Sequence, residues 1–214
     1  MDNEEKIDGR SLRQKNIYDE SRTKLINSAI KLLKDPNIDQ SKINVSLIAK
    51  NAGTSVATAY NHFPDNMVDV YGAIFNSTFQ SSEVELVEYF KNVEDPKSRI
   101  NKFVELQAIS VINLGDAARY AFFNINEILS SGNWITKEPF DVLLNLCKKY
   151  VKEDKTIDAK MLALNTIRNF NGCLFMWMRY NSHSSFWSTF TDEWFLKETS
   201  LAFEQALAVQ NISQ

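Results

Sequence analysis

Between Val45 and Phe63 the chain reads VSLIAKNAGTSVATAYNHF, a stretch crowded with hydrogen-bonding side chains at helical spacings. Thr54, Ser55, Thr58, Tyr60, Asn61 and His62 follow one another closely, with Lys50 just ahead of them. Hydroxyls, a carboxamide, a phenol and an imidazole beside one ammonium suit contacts to phosphates and base edges. Thr54 and Ser55 can cap a helix and also donate to phosphates. Tyr60 and His62 are placed to reach a nucleic-acid backbone, Asn61 could read an adenine edge, and Lys50 is a candidate phosphate contact. The stretch contains no Arg, so a bidentate guanine contact from it is not expected, and readout through hydroxyl, methyl and aromatic groups is.

Those residues need two short helices to hold them. Ser46 can cap the first, with Leu47, Ile48 and Ala52 on its buried side. Gly53 permits the positive φ at which one helix stops and the chain turns. Thr54 or Ser55 then caps a second helix carrying Val56 to His62, and Phe63 is expected in the core. Two helices joined by a short Gly-containing turn form the helix-turn-helix unit, whose second helix can enter a major groove.

The formal net charge of −3 argues against a nucleic-acid partner until its distribution is read. From Arg10 to His62 nine Lys/Arg face four acids, a local balance of +5 that leaves −8 for the remainder. A basic end on an acidic body is the asymmetry of a chain that meets phosphate with one end only.

The wider pattern predicts an all-α fold of about nine helices. Hydrophobic residues at 44%, charged residues at 24%, six Gly and four Pro suit long helices in an ordinary globular protein. Residues 1–16 are polar and read as a flexible arm, in which Arg10, Arg13 and Lys15 could reach DNA. A helix ends at Lys34 before Asp35-Pro36, and Ile38 and Ile43 plug the small core behind it. Pro64-Asp65 is expected to start a long helix, capped by Asp65, with a bend or break at Gln80-Ser81-Ser82. Asp95-Pro96 opens the next helix; further helices follow near Asp116–Leu129, from Thr136, over Thr156–Tyr180 and over Ser188–Val209. The domains expected are 1–16 as arm, 17–64 as DNA-binding domain and 65–214 as ligand-binding and dimerisation domain.

Enzymatic chemistry finds little support. His62 and His183 have no metal-ligand spacing with Cys or carboxylates, and no G-x-S-x-G, P-loop or G-x-G-x-x-G occurs. No enzyme, cofactor or metal site is expected. Cys147 and Cys173 read as reduced core residues on separate helices. Neither a secretory signal nor a membrane span is evident, so no membrane partner and a cytoplasmic location are expected.

The arrangement resembles the TetR family of transcriptional regulators. The resemblance spans about Arg22 to Val70 and rests on Ile48-Ala49, Ala52-Gly53-Thr54-Ser55, Thr58, Tyr60 and His62-Phe63. It implies a DNA-binding head of three helices, with Ser55–Asn61 as recognition helix. A fourth helix would link it to a ligand-sensing body whose last two helices pair with a second subunit. It therefore implies a homodimer, a palindromic double-stranded operator and a small-molecule effector, most simply for a repressor that releases DNA on binding an apolar or aromatic ligand. Three positions depart from the family pattern: Ala57 stands where Gly is common, Ala59 where a bulky aliphatic is common, and Asn66 where a phosphate-binding Lys is frequent. Asn66 can still donate one hydrogen bond there.

For the effector, Phe122, Phe123, Trp134, Phe170, Asn171, Phe175, Trp177 and Met178 are the candidate lining residues. Tyr120, Asn124, Arg179 and Tyr180 are polar groups that could orient a ligand, and core or dimer interface is the plain alternative for the apolar ones. Two other readings stand: a helix-turn-helix regulator controlled by a protein partner, and a helical protein-interaction module with an incidental basic end.

Overall fold

The computed structural model describes residues 9–80, 82–124, 138–152, 156–180 and 189–212. Regular structure among them is helical throughout, and the fold is all-α. The helices are α1 (Gly9–Lys34), α2 (Val45–Ala52), α3 (Val56–His62), α4 (Met67–Gln80), α5 (Glu83–Asn92) and α6 (Pro96–Leu114). They continue with α7 (Asp116–Phe123), α8 (Glu138–Tyr150), α9 (Ala159–Tyr180), α10 (Asp192–Ser200) and α11 (Ala202–Ile212). No described helix is long and apolar enough to cross a membrane.

The chain divides into two compact units, Met1–Phe75 with Asp116–Trp134, and Asn76–Gly115 with Ile135–Gln214. This division differs from a single boundary after residue 64, because α7 packs on α1 in the first unit.

In the first unit α1 begins at Gly9, within the segment expected to be an arm. Leu12, Arg13, Gln14 and Lys15 favour helix and nothing before Pro36 interrupts it. Leu25, Ala29, Leu32 and Leu33 are its buried hydrophobic residues, on one face at helical spacing. Behind it Ile43 is buried and Ile38 half-buried. The cap of α2 is Asn44 rather than Ser46: Asn44 is extended, and its Oδ1 accepts the Leu47 amide at 2.9 Å. Val45, Ile48 and Ala49 bury α2, while Leu47 and Ala52 are half-buried. Ser28 Oγ on α1 donates toward Ile48 O (2.9 Å) and Asn51 Oδ1 (3.1 Å), holding α2 against it.

The start of α4 also differs from expectation. Asn66 is left-handed at φ 58°, so the helix starts at Met67 and Asp65 does not cap it. The polarity is reversed: the Asp65 amide donates to Asp69 Oδ2 at 2.6 Å. Burial pushes the Asp69 carboxyl above its ordinary range, against the pull of that hydrogen bond.

In the second unit α6, α8, α9 and α11 close over Ile100, Phe103, Leu143, Leu162 and Phe203. Asp95 caps α6 by accepting the Ser98 amide at 2.8 Å, with Pro96 in the first turn. Of the break expected at Gln80-Ser81-Ser82, Ser81 lies outside the described residues; α4 ends at Gln80 and α5 begins at Glu83. A second interruption, at Leu201, divides the expected last helix into α10 and α11. Thr199 Oγ1 donates to Phe195 O (2.7 Å) and Ser200 Oγ to Lys197 O (2.6 Å), the back-bonding that bends helices. Both cysteines are free, and burial pushes the Cys147 thiol up to about 12.

Candidate nucleic-acid interface

Gly53 ends α2 at φ 67°, ψ 32°, and its amide donates to Ala49 O and Lys50 O. The Thr54 amide donates to Ala49 O at 3.0 Å, so the turn satisfies the carbonyls that α2 would leave bare. Thr54 Oγ1 also lies on that carbonyl, at 3.4 Å. Ser55 caps α3: its Oγ accepts the Thr58 amide at 3.0 Å and lies 2.8 Å from Thr58 Oγ1. Of the two candidate caps the extended Ser55 takes the role, and Thr54 closes the preceding helix.

The turn geometry decides which side of α3 faces outward. Ala59, His62 and Phe63 are buried, and Thr58 is half-buried. Val56, Ala57, Tyr60 and Asn61 are exposed, Val56 by 45% and Tyr60 by 39%. Lys50 is exposed on α2 and forms no ion pair with any described residue. Asn66 is exposed at the foot of α4, held in place by its amide on Phe63 O at 3.1 Å. Lys50, Tyr60, Asn61 and Asn66 are thus solvent-facing, Ser55 is exposed while it caps α3, and Thr54 and Thr58 are half-buried in the turn and cap.

His62 is different. Its ring is only 5% exposed, with Nε2 2.6 Å from Ser21 Oγ of α1 and the Tyr18 ring centroid 4.0 Å away. Expected to reach a nucleic-acid backbone, it faces inward because α3 is a single short helix whose last turn must cover α1. Arg22 completes the join: it donates to His62 O at 3.0 Å and lies over the Phe63 ring at 5.1 Å. Burial, then the Arg22 charge, holds the His62 imidazole below its ordinary pKa.

Val56 and Ala57 are surface groups that a search for polar contacts passes over. The 100° helical step would have found them: with Ala59 and His62 inward, 56, 57, 60 and 61 must point outward. Ser21 and Arg22 carry no comparable signal, since their roles depend on a partner forty residues away.

The candidate ligand residues fall in both units and differ in burial. Trp177 and Phe195 stack at 5.2 Å, Phe170 leans on Phe195 at 5.8 Å, and Trp177 Nε1 donates to Asp192 Oδ1 at 2.9 Å. Trp177 and Met178 are core residues of the second unit, while Asn171 and Phe175 are exposed on α9. Phe122 and Phe123 belong to α7 in the first unit, where their rings meet edge to face at 5.6 Å. Trp134 lies outside the described residues. Trp177 and Phe195 are therefore core residues, while Phe170 and Trp194 are half-buried and Phe175 is exposed.

No protein-family model matches the chain, and no curated protein matches it.

Proposed function

We propose that this chain is a DNA-binding transcriptional regulator of the TetR kind, acting as a homodimer on a palindromic operator. The observation that carries the reading is the α2–Gly53–α3 unit: a left-handed Gly turn, a capped second helix, and an outward face of Val56, Ala57, Tyr60 and Asn61 without an acidic group. A major groove accepts a helix of that kind, and Lys50 beside it supplies charge for phosphate. The basic balance of residues 10–62 points the same way.

The dimer is proposed through α9 and α11. Met161, Leu164 and Phe175 on α9 and Val209 on α11 are large apolar side chains left at least 41% exposed in the single chain. A second copy could cover them, as the resemblance implies. The effector rests on the resemblance alone: a ligand that favours dimers whose two α3 helices miss the spacing of about 34 Å between successive major grooves would release the operator. Control by a protein partner would leave the DNA-binding part of the reading unchanged.

The test is binding of the full chain to random-sequence duplex at low and high salt. Each phosphate neutralised should lower log K by about 0.9 per unit of log salt, so a dimer engaging several cations gives a steep slope. Binding that ignores salt, or none at either condition, would refute the reading.

A further inference from the structure

We infer that the outward face of α3 selects A·T base pairs, with Val56 and Ala57 against thymine methyls and Asn61 on a neighbouring adenine edge. The inference rests on the DNA-binding reading above and names what that site prefers. Successive helical residues turn by about 100°, so Val56, Tyr60, Ala57 and Asn61 follow one another, in that order, around a single arc. These four are the exposed residues of α3, and Thr58, Ala59 and His62 occupy the rest of its circumference.

The choice of base follows by elimination. In the major groove guanine is read by Arg or Lys at O6 and N7, and cytosine by Asp or Glu at N4. None of these residues occurs in α3. Ser or Thr can serve either pair, so the paired hydroxyls of Ser55 and Thr58, 2.8 Å apart with one proton left to donate, do not choose between A·T and G·C. The groups on the exposed arc that can choose a base pair are the apolar carbons of Val56 and Ala57 and the Asn61 carboxamide. Apolar side chains contact the thymine C5-methyl, and Asn pairs bidentately with adenine N6 and N7. Tyr60 lies between Val56 and Ala57 on the arc, so its aromatic ring shares the same outward face.

Selection of bound duplexes from a random pool by the full chain should yield half-sites with an A·T core. Replacing a contacted thymine by uracil removes the methyl and leaves the minor-groove acceptors unchanged, so it separates this contact from readout of groove width. Each such replacement should weaken binding about four-fold, the transfer value of one methyl-sized group. Replacing the contacted adenine by 7-deazaadenine deletes N7 and should weaken binding about ten-fold, in line with loss of a bidentate pair. The variants Val56→Ala and Asn61→Ala change exposed side chains, and each should become insensitive to the base analogue at its own position. A G·C-rich selected core, or affinity indifferent to both analogues, would overturn the inference and leave DNA binding standing. Failure to bind any duplex would overturn the DNA-binding reading and the inference with it.

Discussion

His62 Nε2 lies 2.6 Å from Ser21 Oγ, a bond that joins the last turn of α3 to α1 across forty-one residues. Ser21 Oγ donates its own proton to Tyr18 O at 2.9 Å, so toward the ring it is an acceptor. The bond therefore assigns the neutral imidazole its proton on Nε2, and leaves Nδ1 buried with no hydrogen-bond partner among the described residues. A second proton would have to sit on Nδ1, unpaired and near the Arg22 charge.

Stability should therefore depend on pH through His62. Its folded pKa is depressed, so between that value and the ordinary one of about 6.5 the unfolded chain binds more protons. The contribution of the neutral ring is complete above pH 6.5 and is lost progressively as pH falls below it. Thermal melts at pH 7.5 and pH 5.5 should show a larger loss in the parent than in His62→Gln. Equal losses would contradict the assignment.

Arg22 holds His62 O and covers Phe63 with its guanidinium plane. Arg22→Ala should cost about 2 kcal/mol, combining a charged hydrogen bond with a cation–π contact. Arg22→Lys should recover little, since an ammonium lacks the planar fork. Urea unfolding checks both, and a neutral Arg22→Ala would remove the join proposed between α1 and α3.

Gly53→Ala isolates backbone strain from packing. A Cβ at Gly53 would meet nothing within 4 Å, so only the left-handed φ of 67° opposes the substitution. The cost should be about 1–2 kcal/mol by urea unfolding, and Gly53→Asn should cost less because Asn tolerates that region. Equal costs for the two would point to a steric cause instead.

Lys50→Ala should leave stability within about 0.5 kcal/mol, because the side chain is exposed and forms no ion pair with a described residue. On duplex DNA it should weaken binding uniformly across sequences and reduce the salt slope by about one for each phosphate left without its cation. An unchanged slope would take Lys50 out of the interface.

Much of this head is legible in sequence because its determinants are local. Gly53 needs a positive φ wherever a helix stops before a second cap, and Ser55 and Asp95 sit immediately ahead of helical runs. What escapes is decided by distant partners or by competition among near neighbours. Asn44 and Ser46 are both good caps, and the burial of Val45 as first helical residue selects Asn44. His62 reads as a DNA contact because imidazoles often are, and only the approach of Ser21 and Tyr18 turns it inward. The left-handed Asn66 moves the start of α4 to Met67, one residue later than a cap at Asp65 would give, and reverses the role of Asp65. Aromatic enrichment in α9 and α10 cannot by itself distinguish a lined pocket from a stacked core, and Trp177 against Phe195 is a core pair.

The most direct test is a hydroxyl-radical footprint of the full chain on a duplex selected from a random pool. Two protected segments related by a two-fold axis are expected, their centres about one helical turn apart or a whole multiple of it. Weakened protection with Asn61→Ala, at unchanged melting temperature, should accompany them. A single protected segment, or a footprint untouched by changes to the outward face of α3, would contradict DNA recognition by a dimer through that helix.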